Sequence, residues 1–338
     1  MSNSLLTLLS AFNRPRLLLP RPLRYLLLLA VIALALRLFE PSGSRQYLIT
    51  LMCINALAAL GLNVILGMTR LLSIAQAALM AVGGYTCALM LVDWHMSFLI
   101  AALAGILASG VVSSFAGLVA GRIRSHYYIL VTLGIAGTIS LILVNQIDLT
   151  GGDNGLGGIP PLTVGALTLS SSPQILGLSL AVLIVGWYLA EALRQSRAGR
   201  AMFAVGANEY LAFAAGMSPL RTRVLASAVG GLYAGLAGVL LAEALLFLGP
   251  ADFDLGQALL LLLIVVIGGM GSNVGTVVGA VLVTYLSQGF LTLTSTGSLV
   301  YGLGIMLILL VAPGGLAGIS QRLYRRVYYL AKPSGEAR

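Results

Sequence analysis

Few residues of this chain are equipped for chemistry, and their spacing says as much as their types. Ten carboxylates, two histidines and two cysteines are scattered over 338 residues. His95 and His126 stand alone in short loops, far apart in sequence, so no metal-ligand set is expected. Cys53 and Cys87 lie inside apolar runs and read as packed thiols. The H-E-x-x-H and G-x-S-x-G patterns are absent, as is the G-x-x-x-x-G-K-[ST] loop that cradles nucleotide phosphates. The one lysine, Lys332, precedes Pro333. These absences argue against a membrane enzyme and against a chain that hydrolyses ATP itself.

What remains is polar but uncharged, and it sits inside apolar runs: Asn55, Asn63, Ser73, Gln76, Tyr85, Thr132, Asn145, Asn273 and Gln288. Of these, Asn63, Ser73, Gln76, Tyr85, Thr132 and Asn273 are the candidates for a solute pathway. The competing reading is hydrogen bonding between helices. Charges within the runs are Arg37, Glu191 and Glu243, all near expected helix ends, where snorkelling or local pairing competes with a functional role. An ion-coupled carrier usually keeps acids near the bilayer midplane. This chain does not, so energy for uphill movement is expected to come from another protein.

The elements that must hold these residues are transmembrane helices. The chain is 59% hydrophobic and 9% charged, where soluble domains carry about 25% charge. A spanning helix needs ~20 apolar residues. Ten candidate spans follow: 23–39, 47–66, 72–92, 97–120, 127–147, 174–193, 224–248, 255–270, 273–291 and 298–312. The eighth and tenth are short enough to be tilted or re-entrant. The expected fold is an all-α polytopic membrane protein, with 1–338 forming a single membrane domain. Outside the spans lie a segment at 1–22, an outer loop at 148–173, an inner loop at 194–223 and a tail at 313–338. The first span reads as uncleaved, because "RLFEPSGS" offers no small-x-small cleavage site.

Charge sets the orientation. With both termini cytoplasmic, 17 of the 19 basic residues fall inside, and Arg37 and Arg45 are the exceptions. Glu40, Asp93, Asp148, Asp153, Asp252 and Asp254 fall outside. The net charge of +9 is therefore read as topogenic, and a nucleic-acid partner is not expected. Small residues recur one turn apart at Gly117/Gly121, Gly231/Gly235 and Gly271/Gly275/Gly279, as closely packed helices require. "IGGMGSNVG" (267–275) reads as a break between two half-length helices.

The inner loop carries two short helical patterns. "RAGRAMFAV" is expected to end at Gly206 in a left-handed stop. A second begins at Asn208 as N-cap, with Glu209 in the positive first turn, and stops at Gly216 before Pro219. Two turns are not stable alone in water, so the helix needs a surface to dock on. Tyr210, Phe213 and Ala214 share a face, and the helix has none of the basic residues of a membrane-surface helix. Protein is the favoured partner.

Four segments then resemble one family in order. They are "GLNVILGMTRLLSIAQAALMAVGGYTCALM" (61–90), "LTGGDNGLGGIP" (149–160), "AGRAMFAVGANEYLAFAAGM" (198–217) and "GGMGSNVGTVVGAVLV" (268–283). Together they resemble the M-type permease subunits of branched-chain amino acid ABC importers across residues 48–318. The resemblance implies a type-II-like importer fold in a bacterial inner membrane. It implies four kinds of partner: a homologous sister permease, two cytoplasmic ATPases, an extracytoplasmic binding protein and membrane lipid. ATP and Mg would be bound by the ATPases and no cofactor by this chain. Residues 207–216 would form the coupling helix seated in an ATPase groove, with Arg200, Asn208, Glu209, Tyr210, Phe213 and Gly216 as its site residues. The binding protein would meet the outer loop at Thr150, Gly151, Gly152, Asn154 and Gly155. Arg70 stands where the family usually has Gly, Gln76 where it has His, and the Arg expected before Asn208 is missing. Relatives import urea, short amides or aromatic acids, so the solute stays open. A sugar or nucleoside ABC permease is the alternative within the class; a carrier or channel lies outside it.

Overall fold

Long runs of Leu, Ala, Val and Ile fold as helices here because a helix satisfies its backbone hydrogen bonds within the run, and several runs start at a residue whose side chain caps the free N–H groups. The computed structural model describes residues 43–120, 125–164, 167–169 and 171–291. They belong to one unit, Pro41–Arg338. The chain begins with α1 (Gly43–Leu62), which runs on without interruption into a π-turn at Asn63–Met68. Then come α2 (Gln76–Val92), α3 (Phe98–Ala120) and α4 (Ser125–Asn145). A short α5 (Ile147–Thr150) opens the outer loop. The helix α6 (Ser172–Gln195) leads to the inner pair α7 (Arg197–Ala207) and α8 (Glu209–Ala214). The long α9 (Pro219–Leu245), α10 (Leu255–Gly268) and α11 (Asn273–Leu291) complete the described chain.

Several starts are capped by side chains. Ser171 and Gln174 form a capping box on α6, the Ser196 hydroxyl accepts from Gly199 N–H, and Asp254 accepts from Gln257 N–H at 2.8 Å. Among the described residues, six helices are long and apolar enough to cross a membrane: Arg45–Met68, Phe98–Val119, Tyr127–Asn145, Ser172–Gln195, Pro219–Leu245 and Pro250–Gly268. Eight of the ten expected spans have a helical counterpart among the described residues. The expected spans 23–39 and 298–312, the segments 1–22 and 313–338, Arg37, and the loop arginines Arg122 and Arg124 lie outside them.

The core sits around α9, which packs on α1, α2 and α3. Small residues make this possible. A Cβ at Gly238 would run into the carbonyl oxygen of Met80 on α2, so this crossing requires glycine. Serines seal the α3 side. Ser109 Oγ lies 2.8 Å from the carbonyls of both Leu79 and Gly231, and Ser113 Oγ donates to Ser227 O at 2.6 Å. A hydroxyl that bonds a neighbouring backbone avoids the cost of an unpaired polar group away from water.

The all-α expectation needs one correction. Outside the helices, β1 (Leu156–Gly157) pairs antiparallel with β4 (Phe247–Leu248), and β2 (Leu162–Val164) pairs with β3 (Leu167–Leu169). These ribbons are too short to leave a period-2 pattern in the sequence. The β1–β4 ribbon clips the outer loop to the end of α9. Glu243, buried at that end, accepts a hydrogen bond from Leu162 N–H.

Candidate functional site

The inner pair is built from side-chain caps. Asn208 Oδ1 accepts from the N–H groups of Tyr210 (3.0 Å) and Leu211 (3.1 Å), which fixes the start of α8. Gly216 closes it at φ +81°. Met217 N–H then donates to Ala212 O, a wrapped C-terminal turn. Ser218 and Pro219 open α9 at once. Glu209 is held by Arg223, a buried residue on α9, at 2.7 Å. Ala212 is the buried residue of α8. Its other large side chains point outward: Tyr210, Leu211 and Phe213 are 86%, 69% and 71% exposed. Arg200 lies to one side, exposed, with Nη1 donating to Gln195 O at 2.7 Å.

One expectation for this loop is overturned. Gly206 is not a left-handed stop; α7 continues through it to Ala207. Its missing Cβ serves a close approach instead, since that atom would collide with the carbonyl oxygen of Met68 and crowd Thr69. So α7 lies directly on the π-turn. Met202 packs with Val64, Met68 and Ala226 in one buried cluster, and Phe203 lies against it.

The pathway candidates divide into three places. Asn63 and Asn273, both buried, are hydrogen-bonded to each other at 3.0 Å. Ser73, Gln76 and Thr132 gather around the non-helical stretch before α2. Thr132 Oγ1 accepts from Ile74 N–H, and Gln76 Nε2 donates to the carbonyls of Ala58 (3.0 Å) and Gly230 (3.1 Å). Gln76 Oε1 is buried with no hydrogen-bond partner among the described residues. Ser73 is buried. Tyr85 lies at the other end of α2, its hydroxyl donating to Leu248 O at 3.0 Å. An apolar groove of about 510 Å³, lined by residues such as Ile106, Val185, Leu189 and Tyr233, includes none of these side chains.

The outer-loop residues hold their own loop together. Thr150 is buried, and its hydroxyl lies 2.6 Å from Leu143 O and 2.8 Å from Gln146 O. Gly151, Gly152 and Gly155 all have positive φ. A side chain at Gly155 would strike Leu248 O and the Phe247 ring, across the β1–β4 ribbon. Asn154, beside them, is exposed.

Sequence reasoning missed several contributors. Arg223 pairs with Glu209 across 14 residues and an intervening turn, which no local pattern announces. Leu211 adds to the exposed apolar face. Glu191 is a hub: Arg194 and Gln195 both donate to it, and so does Asn273 from α11. The spacing of Glu191 and Arg194, three apart on a helix, was the one signal available for it.

A family model described as "Branched-chain amino acid transport system / permease component" matches residues 44–312. The high-affinity branched-chain amino acid transport system permease protein LivM of Salmonella typhimurium is 29% identical over 320 residues, covering 86% of this chain and 74% of that protein. LivM of Escherichia coli K12 is 28% identical with the same coverage. The autoinducer 2 import system permease protein LsrD of Yersinia enterocolitica is 29% identical over 204 residues, covering 56% of this chain and 57% of its own length. No solved structure matches. With a family match across most of its length and helices fit to cross a bilayer, the chain is a multi-pass membrane protein belonging to the branched-chain amino acid transport system permease family.

Proposed function

We propose that this chain is the membrane-spanning permease subunit of an ATP-driven ABC importer. It forms half of a pathway for a small polar organic solute, a branched-chain amino acid or a relative such as an amide, urea or an aromatic acid. In this reading the chain lies in a bacterial inner membrane, N-terminus cytoplasmic, beside a homologous sister permease. Two cytoplasmic ATPases carry ATP and Mg, and a periplasmic binding protein delivers the solute to the outer loop.

The observation that carries the reading is α8. A six-residue helix, capped at both ends and braced by a buried arginine, holds three large apolar side chains in the open. Covering Leu211 and Phe213 alone would be worth about 3–6 kcal/mol at ~1.5–3 kcal/mol for each side chain. A helix so short has no reason to be held this rigidly unless something docks on it. A partner that hydrolyses ATP can shift the permease only if it binds two of its states differently, and α8 is the place for that contact.

The test uses the four-component transporter in proteoliposomes. Tyr210→Ala with Phe213→Ala is expected to lower ATP-dependent uptake at least tenfold and to release the ATPases from the purified complex. The unfolding temperature of the permease should not move, because both side chains are largely exposed. Normal uptake by the double variant sinks the coupling assignment. Competition of labelled leucine by amides, urea and aromatic acids then ranks the solutes. The match to LsrD favours a second reading, transport of an autoinducer 2-like solute. Inhibition by such a solute, and not by leucine, would select it.

A further inference from the structure

A continuous line of buried hydrogen bonds joins three elements that the sequence keeps far apart. At one end, Asn63 in the π-turn accepts from Gly271 N–H at 2.8 Å through Oδ1. Its Nδ2 donates to Asn273 Oδ1 at 3.0 Å. Asn273 Nδ2 in turn donates to Glu191 Oε2 at 3.0 Å. At the other end, Arg194 and Gln195 donate to the same carboxylate at 3.0 and 2.9 Å. Asn63, Asn273 and Glu191 are 0%, 1% and 7% exposed. The line therefore begins at the last turn of α6, one residue before the Ser196 cap of α7, and ends in the gap between α10 and α11.

The Asn63–Gly271 end joins two places where backbone regularity is given up. The gap at 269–272 contains Gly269 and Gly271, both at positive φ. Asn63 is the first residue of the π-turn, a form often found at functional sites. In the α-helical alternative an amide N–H at this depth would have an intrahelical partner; here Gly271 N–H depends on a side chain. Both asparagines use donor and acceptor at once, so neither can turn over without leaving a buried group unpaired. Packing follows the same route. Phe203 of α7 lies within van der Waals reach of where a Gly271 side chain would begin, and Gly206 rests on the end of the π-turn.

We infer that Asn63, Asn273 and Glu191 are positioning residues, forming a relay through which the inner helix pair sets the conformation of the 269–272 break. The inference rests on the transporter reading for what moves α7, but the relay has its own readout. A shift of α7 moves the Arg194 end of the line. Because Asn63, Asn273 and Glu191 are buried and doubly engaged, the line passes the shift on or breaks as a unit.

The experiment is thiol labelling of Met270→Cys in the assembled transporter, with Cys53 and Cys87 replaced by alanine. Arg194→Ala perturbs the far end and touches no residue of the break. It is expected to change the labelling rate at least threefold. In an Asn63→Leu background the same substitution should change it by less than 1.5-fold, since the line is already cut. Asn273→Asp sets two carboxylates face to face and should reproduce the Asn63→Leu rate. Adding Glu191→Gln restores a donor–acceptor match and should return the rate toward normal. Equal effects of Arg194→Ala in both backgrounds, or none in either, overturn the relay; so does absence of rescue by Glu191→Gln. The transporter reading fails separately, if the unmodified complex takes up solute without ATP.

Discussion

The inner knob and the outer loop are built in opposite ways. The knob, α7 and α8, is held by side chains: Ser196 and Asn208 at the helix starts and Arg223 on Glu209. The outer loop at 147–158 is held by backbone: four glycines at positive φ, a hydroxyl turned inward at Thr150 and a two-residue ribbon with β4. The knob spends its polar groups on its own ends and leaves Tyr210, Leu211 and Phe213 outward. The outer loop folds its motif residues into itself and offers Asp153 and Asn154 at the surface. Equally distinct motifs thus mark two different things, a surface in one case and a scaffold in the other.

That contrast can be broken experimentally. The largest effect is expected for Gly155→Val. The site needs φ +71°, and the new side chain would meet Leu248 O and Phe247, so the outer loop should lose its attachment to α9. Protease accessibility of residues 151–158 in intact cells should rise sharply; continued protection would show that the ribbon does not depend on this glycine. Thr150→Val is milder. It keeps the volume but removes the single O–H that the carbonyls of Leu143 and Gln146 share, costing about 1–3 kcal/mol in detergent unfolding. An unchanged unfolding midpoint would return Thr150 to the list of partner-facing residues. Asn208→Ala should give the smallest global effect, about 1 kcal/mol or less, felt within α8 alone. Uptake should nonetheless fall more than for Thr150→Val. A drop in global stability larger than that of Thr150→Val would erase the distinction between surface and scaffold.

Much of this was legible in the sequence because membrane helices answer to simple constraints. The expected 97–120 and 273–291 became Phe98–Ala120 and Asn273–Leu291, since apolar length and a following break are all that define them. The break in "IGGMGSNVG" was readable because only glycine tolerates its φ values. Asn208 and Gly216 kept their assigned capping roles for equally local reasons. Gly206 was misread because a glycine after a helical pattern looks like a stop, and its real reason, the Met68 carbonyl, lies 138 positions away in the chain. Arg70 is the instructive intermediate case. The resemblance marks it as a departure from glycine, and the arginine adopts φ +58°. The pairing of Asn63 with Asn273 and Glu191 had no local signature at all, because each residue reads separately as one polar group in an apolar run.

The π-turn adds a consequence that concerns counting. An α-helix turns about 100° per residue, and a π-turn takes up extra chain without advancing that phase as an α-turn would. Everything after Met68 is therefore offset from where α1 would have delivered it. Thr69 reaches back to Ile65 O at 2.6 Å, and Ile74 N–H meets Thr132, only with that offset in place. Winding Asn63–Met68 as α-helix at unchanged chain length would advance everything after Met68 by about one residue, ~100° round the axis, and swing the approach to α2 with it. The number of residues in this turn is thus a specified quantity, as binding on the protein as the identity of any side chain within it.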